Sequence, residues 1–532
     1  MLAEPESMPT VTTDALNGLL YINNGLDVAR WNYIDAVGTP ISNPGGIGNG
    51  VSLTYSFLAT APAYAPDVEA NTFGIMDAAM KSGARAALAH IAELADINFT
   101  PESAQRGQLT FATCYQEYSS AWAYTPFYDV AVSAGQITAV TEDPLAGSVW
   151  VNNDIPWLAS DWRPGAFGYS TLLHEIGHAL GLKHPFQEFD ELGNPIPVDY
   201  VLRDDIDNEA HTVMSYTEAP RTLLIVDVTA KATGGYRWSY DGLSPSTMMM
   251  LDIEALQHLY GANTTTRDGR DVYEWDTNEV MLETIWDGGG VDTLDCSNQT
   301  LVCRINLGDG EFSSIGLRRT DAEIKLGMGL PADFNLERVS SLDRAALYNG
   351  EDNLGIAKGA TIENATGGSL SDIIIGNEVA NRLLGGLGND KLSGALGNDR
   401  LDGGNGADEL YGQGGNDVLV GSAGADDMDG GTGRDVFVYN RLTDTGSRLA
   451  TADVITGFVS GADRIDLRTL DADATLAGNQ AFTFIGVDAF DGAGQVRFEG
   501  GVLYASTNTD STAELVIELA GVSTFTAADL ML

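Results

Sequence analysis

Positive charge is what this chain is short of. Its 28 Lys+Arg stand against 75 Asp+Glu, a formal net charge of −47 over 532 residues. So few cations cannot neutralise phosphates, which argues against nucleic acid and anionic membranes as partners. Cysteine is scarce too: Cys114, Cys296 and Cys303 are too few for a disulfide scaffold, and no Cys-x-x-Cys occurs. No stretch approaches the ~18 apolar residues of a transmembrane helix. The first basic residue is Arg30, and a start carrying Glu4 and Glu6 has neither the basic nor the apolar region of a cleaved secretory signal. Alone, the last of these and the cysteine count point to the cytoplasm, a reading reversed below.

What is present is a globular chain. A hydrophobic fraction of 44% over this length supports two to four packed domains rather than disorder. The excess carboxylates need water or cations, and 62 glycines beside them make calcium the first suspect.

Residues 1–50 read as an irregular, Gly- and Pro-rich lead-in, set in the place of a propeptide if the resemblance given below holds. Val51–Phe57 alternates with period two, as a half-buried strand does. From about Ile75 to Ala95 the apolar residues step by three or four, which predicts a helix. Leu109–Phe111 and Gly147–Val151 read as strands, and about Tyr169–Leu182 and Ser246–Tyr260 as helices. Mixed elements over 51–265 predict one α/β or α+β domain, and 266–532 an all-β one.

Within the first domain, His174-Glu175-Ile176-Gly177-His178 places two imidazoles one helical turn apart on one face. Glu175 sits beside the metal's open position, where a general base belongs. Gly181 can end the helix in a left-handed turn, so that His184 returns as a third nitrogen ligand. Three neutral nitrogens leave one zinc position for water, which is the catalytic arrangement rather than the structural one. A bare His-Glu-x-x-His arises by chance, but Gly181 and His184 make the longer pattern far more specific. Downstream, Met214 in Thr212-Val213-Met214-Ser215-Tyr216 fits an apolar floor beneath the metal, the Met-turn of metzincins. The Tyr216 phenol could reach the metal or a developing oxyanion. His90, His211 and His258 read as structural.

Residues 367–438 hold eight nonapeptides without an insertion: GGSLSDIII, GNEVANRLL, GGLGNDKLS, GALGNDRLD, GGNGADELY, GQGGNDVLV, GSAGADDMD and GGTGRDVFV. The sixth position is Asp372, Asn381, Asp390, Asp399, Asp408, Asp417, Asp426 and Asp435, and the eighth is always apolar. A flexible linker would need neither phase. Glycines permit tight turns with outward carbonyls, the aspartate adds a carboxylate, and the eighth side chain points inward from a short strand. Two repeats make one coil of a parallel β-roll, so Asp390, Asp408 and Asp426 stack along one edge and Asp399, Asp417 and Asp435 along the other. Calcium would lie between loops, held by these aspartates, by Asp372, and by loop residues Gly385, Gly386, Gly388, Gly394, Gly397, Gly403, Gly404, Gly406, Gly412 and Gly414.

With these residues in hand, the chain resembles the serralysins, secreted zinc- and calcium-dependent metalloendopeptidases. The resemblance covers about 50–532. It runs through the zinc motif with Leu182 and Pro185, the Met-Ser-Tyr turn, Leu251–Asn263, Trp286–Thr293, Thr361–Ala365 and the roll. It implies a metzincin α/β catalytic domain followed by a β-roll and β-sandwich. Zinc would fall to His174, His178 and His184, with Tyr216 as a switchable fifth ligand and Glu175 as base. Further calcium ligands would be Arg267, Gly269, Asp271, Asp287, Gly289, Gly290, Asp292, Thr361 and Glu363. The family leaves the cell through a type I ABC transporter, guided by an uncleaved C-terminal signal that Asp529-Leu530-Met531-Leu532 fits. This implies an extracellular monomer acting on proteins or peptides, with a proteinaceous inhibitor in the producing cell. Departures are the cysteines, the lead-in, and Asn381 in place of an aspartate.

Two rivals remain at this point. A calcium-binding surface or adhesion protein would carry the repeats with a non-catalytic zinc site, and the intact Glu175 argues against it. A structural zinc protein would bind metal without turnover, and a chelator-sensitive protease assay separates it. The pair Cys296 and Cys303 adds one more expectation. If 293–295 and 304–307 form a hairpin, the two thiols face each other near disulfide distance, although Gln299-Thr300 makes a poor turn.

Overall fold

The computed structural model describes residues 10–12, 15–20, 30–32, 46–102, 107–133, 136–189, 195, 200–277, 279–473 and 475–532. Its N-terminal half is organised by a five-stranded sheet in the order Ile97–Pro101, Val51–Phe57, Leu109–Cys114, Ser148–Asn152, Ala121–Ala123. The first four strands are parallel, and the short last one is an antiparallel edge. Every residue of Leu109–Cys114 and of Ser148–Asn152 is buried, as expected of strands covered on both faces. A small cluster of Leu58, Ala112, Cys114 and Trp150 covers one face.

Three helices hold the main core. Ala78–Leu94 buries Met80, Ala84, Leu88 and Ile91, the stripe its spacing predicts, and the Asp77 carboxylate caps it by accepting from the Met80 N–H at 2.8 Å. Phe167–Ala179 is buried almost all round. Met250–Tyr260 starts later than the pattern suggests, because Asp252 caps its first turn by accepting from the Met249 N–H.

The lead-in is not wholly irregular. Ala15–Leu19 is a short helix, and Thr10–Thr12 pairs in parallel with Tyr200–Leu202. Leu19, Leu20 and Trp31 are buried in the main core.

The C-terminal half is mostly β and largely parallel. Nine strands in one sheet face thirteen in another, and successive chain coils alternate between them. The eighth-position side chains Ile374, Leu383, Leu392, Leu401, Leu410, Leu419, Met428 and Phe437 fill the space between, all nearly inaccessible. Beyond the repeats the thirteen-stranded sheet turns antiparallel through Gln495–Glu499, Val502–Ser506 and Leu515–Leu519. Phe437, Phe458, Phe484, Phe498 and Phe525 close that end of the core.

Two expectations are corrected. Helices do occur after residue 265: Asp321–Gly327 and Ser341–Ala346 are too short to show periodicity. Phe334, Leu336 and Val339 from the same segment pack with Ile225 of the hairpin Leu223–Ala230/Tyr236–Gly242. The proposed hairpin at the cysteines is also absent. Thr293–Asp295 lies in the nine-stranded sheet, whereas Val302–Asn306 lies in the thirteen-stranded one. Cys296 and Cys303 are therefore not cross-strand partners, yet their thiols still meet in the core, where a hydrogen bond between them and burial raise the Cys296 thiol well above its ordinary value; both are unlinked, as is the buried Cys114. Burial pushes the Cys114 thiol up to about 11. The native protein should thus leave a thiol reagent unreacted, and all three cysteines should titrate only after unfolding. Mass spectrometry finding the chain two hydrogen atoms lighter, with Cys296 and Cys303 in one linked peptide, would contradict this.

Candidate metal centre and active site

Ordinary helix geometry carries His174 and His178 on one face of Phe167–Ala179, and Leu180 caps its C-terminus. Gly181 has φ 109°, the left-handed region that lets the chain reverse. His184 comes back from that reversal. Its Nε2 lies 3.1 Å from that of His174 and 3.0 Å from that of His178. Ligand nitrogens ~2.0–2.1 Å from one tetrahedral ion are about 3.3 Å apart, so the three rings fit zinc.

Hydrogen bonding on the far side of each ring determines which nitrogen faces the centre. His174 Nδ1 donates to the Val213 carbonyl at 2.7 Å, and His178 Nδ1 to that of Leu182 at 2.9 Å. His184 Nδ1 pairs with the Glu188 carboxylate. With Nδ1 protonated, three Nε2 lone pairs converge, which is repulsive unless a cation lies among them. Burial, and the neighbouring His184 after it, lowers the His174 ring to about 3. Burial likewise holds the His178 ring well below its ordinary value, so both helix histidines are neutral at physiological pH, as metal ligands must be.

Below the rings, Met214 is fully buried, and a Cβ added at Gly177 would lie 2.7 Å from its sulfur. Glycine at 177 is what lets this floor approach the helix. The floor is pinned by Asp252, which accepts from the Thr212 hydroxyl at 2.5 Å and the Val213 N–H at 2.8 Å. Nothing in the local sequence around 174–184 signals this residue. Only the return of a helix about 70 residues later brings it there.

Glu175 is 5% exposed, and its Oε2 has no hydrogen-bond partner. Burial raises its carboxyl to about 8. The Tyr216 ring stacks over His174, centroids 5.5 Å apart, and lies 4.6 Å from His184, yet it is 69% exposed. It covers the open side of the centre without being locked there. The other histidines stand elsewhere: His90 accepts from the Met248 N–H, and His211 packs on Phe312. His258 is half-buried on Met250–Tyr260.

The carboxylates of the roll form two ladders. Each backbone N–H donates to the Oδ1 of the aspartate 18 residues on, from Asp372 to Asp390, Asp408 and Asp426, and from Asn381 to Asp399, Asp417 and Asp435. The second oxygens of Asp390, Asp399, Asp408, Asp417, Asp426 and Asp435 are buried without a partner. A row of orphaned anionic oxygens is what a cation would satisfy. Both ladders run one rung past the repeats, to Asp453 and Asp463, at spacings of 27 and 28 residues that break the nonapeptide phase. A sequence search by period therefore misses them. Asn381 keeps its place in the ladder and donates its amide to the Glu363 carbonyl at 2.9 Å.

The loops Gly385, Gly394, Gly403 and Gly412 press on the ladder carboxylates, and an added Cβ would come within 2.5 Å of Oδ2 at each. Gly406 also approaches the neighbouring coil closely, its Cβ position lying 1.6 Å from the Gly388 carbonyl oxygen. Gly386, Gly388, Gly397 and Gly404 share its positive φ. Gly414 pairs with Thr432 in a short bridge between coils.

A second acidic group forms where the two halves meet. Asp271, Asp287 and Asp292 bring carboxylate oxygens within 4.8 Å of one another. Glu363 joins them by accepting from the Asp292 N–H at 2.7 Å. Gly289 donates to Asp287, Gly269 accepts from the Val291 N–H, and Gly290 lies against the Gly269 carbonyl. Arg267 has a positive φ of 50°, and Thr361 is half-buried two residues before Glu363.

Comparison with known proteins agrees with this architecture. The family profile "Peptidase M10 serralysin C terminal" matches residues 249–330 and 335–532. The metalloprotease AprA of Pseudomonas entomophila is 32% identical over 394 residues, 71% of this chain and 67% of that protein. A serralysin of Photorhabdus laumondii is 30% identical over 345 residues, 62% of this chain and 59% of that one. The match thus spans three-fifths to two-thirds of these relatives' length. Among solved structures, the AlgE6R3 subunit of the Azotobacter vinelandii mannuronan C5-epimerase is 25% identical, covering 31% of this chain and 78% of that one. Its TM-score of 0.20 lends it no weight. On the extent of the profile match and the identity to AprA, this chain belongs to the serralysin family of metalloproteases.

Proposed function

We propose that the chain is an extracellular endopeptidase, with a metzincin-type catalytic domain over 51–265 holding one zinc and a roll domain over 266–532 holding structural calcium. The observation that carries this reading is the convergence of three Nε2 atoms beside a buried carboxylate with an unpartnered oxygen. His174, His178 and His184 would hold the zinc. The chemistry such an ion supplies when bound by three neutral imidazoles is polarisation of a carbonyl and acidification of water. Glu175 takes the proton of the attacking water and returns it to the leaving amine nitrogen. The open side of Ala121–Ala123, which pairs only with Ser148–Asn152 among the described residues, suits addition of an extended peptide strand beside the zinc helix. That favours protein substrates over small molecules.

Calcium would be held by the ladder carboxylates and loop carbonyls, and by Asp271, Asp287, Asp292 and Glu363, where it neutralises stacked anions. Family membership supports export through a type I transporter and inhibition by a protein of the producing cell as part of this reading. No helix among the described residues is long and apolar enough to cross a membrane. Hydrolysis of casein that stops with a zinc chelator and returns with added zinc is the expected result. A zinc-loaded, folded protein that leaves casein intact would favour the calcium-binding surface protein instead.

Tyr216 should act on the transition state. Its phenol can donate to the carbonyl oxygen as charge develops there, so Tyr216→Phe should lower kcat by roughly 10²-fold while KM changes little. Unchanged kcat in steady-state kinetics would leave Tyr216 a packing residue.

A further inference from the structure

The three ligand histidines are not supported alike. His174 and His178 have their backbones fixed in a helix, and each donates Nδ1–H to a neutral carbonyl. His184 lies beyond the helix on a reversing turn, where regular structure does nothing to orient its ring. Its Nδ1 instead meets a carboxylate, that of Glu188, four residues on. Phe186 stacks flat against the same ring, centroids 5.0 Å apart and planes 8° from parallel. The turn itself is anchored through Lys183, whose buried ammonium donates to the carbonyls of Gly18 at 2.6 Å and Tyr200 at 3.0 Å.

Resting on the reading of His184 as a zinc ligand, we propose that Glu188 is the positioning residue for that ligand. It fixes the ring with Nε2 toward the metal and adds a negative charge that makes Nε2 a stronger donor. A carboxylate on Nδ1–H polarises the imidazole more than a carbonyl dipole does, and such outer partners typically contribute ten- to a hundredfold in metal affinity. The Glu188 side chain is 32% exposed, so its charge keeps part of its hydration and is not an isolated buried anion. The other two ligands have no carboxylate on Nδ1, so the anionic support is concentrated on the one ring that the helix does not hold.

The test is zinc affinity, measured by chelator competition on the full chain with calcium present. Glu188→Ala should weaken zinc binding by 10–100-fold. Glu188→Gln, which keeps an acceptor oxygen but loses the charge, should fall between Ala and wild type. The zinc-free proteins should all melt at the same temperature, because the effect is exerted on the metal and not on the fold. Wild-type affinity in Glu188→Ala would overturn the proposal. So would a loss of affinity accompanied by an equal loss of zinc-free stability, which marks a merely structural contact. A wild-type protein that binds no zinc would instead remove the underlying reading of the site.

Discussion

Replacing Glu175 with glutamine should lower kcat/KM on a protein substrate by about 10²–10⁴-fold, the usual contribution of a positioned general base. Zinc content should not change. Glu175 follows His174 by one residue, so it points about 100° around the helix from the ligand face, and it cannot be a ligand with His174 and His178. The substitution is nearly isosteric, and Oε2 makes no hydrogen bond that the fold would lose. Burial raises the carboxyl to about 8 in the metal-free site, and a nearby dication would draw it down again. The base works only when ionised, so activity should fall as pH drops through its pKa in the loaded enzyme. Residual turnover by Glu175→Gln should lack that acid limb. More than a tenth of wild-type activity in the variant, at equal zinc content, would remove Glu175 from the chemistry.

Calcium removal should have the larger effect on structure. Residues 367–438 carry twelve acidic residues against four basic ones, and nineteen glycines that make ordering the backbone costly. Side chains on adjacent strands stand ~4.8 Å apart, and two unit charges at that distance repel by about 3–4 kcal/mol at an effective dielectric near 20. The roll repeats this stacking along both ladders, with one or two apolar side chains per repeat to offset it. The roll should therefore be unfolded at submicromolar free calcium and folded at millimolar calcium, outside the cell.

The same ladders give the pH dependence. Burial raises the carboxyls of Asp390, Asp399 and Asp426 to about 7, and that of Asp453 to about 8. Between pH 4 and 7 the folded, calcium-free roll thus binds more protons than the unfolded chain, so its stability falls as pH rises through that window. Chelator-treated protein should be more ordered at pH 5 than at pH 8, and the calcium needed for folding should be greater at pH 5, where protons compete. Circular dichroism of full-length Glu175→Gln protein, which cannot digest itself, measures both. Retention of the full β signal in excess chelator at pH 8 would refute the calcium requirement. In the folded form Asp529 is buried and accepts from the Ser460 hydroxyl and the Gly461 N–H, and Leu530–Met531 pairs with the nine-stranded sheet.

Patterns that repeat within one turn or one strand were determined by the sequence itself. His174 and His178 share a face because a helix repeats every 3.6 residues, Gly181 reverses the chain because it alone tolerates that φ, and a nine-residue phase stacks its aspartates every second repeat. Such features need only covalent neighbours. The tertiary structure decided what depends on partners distant in sequence. Asp453 and Asp463 extend the ladders out of phase because strands 453–456 and 464–466 add to existing sheets, where the edge N–H groups, not the spacing, select the next rung. The strands beside Cys296 and Cys303 go to two different sheets by the same hydrogen-bonding choice, although only six residues lie between the cysteines, so their thiols meet in the core between the sheets and not along a hairpin. The Val213 carbonyl that orients His174, the Asp252 carboxylate that pins that turn, and the N-terminal segment that anchors Lys183 come from three remote parts of the chain. Burial brings them together because buried donors and acceptors must find partners wherever the packed core supplies them.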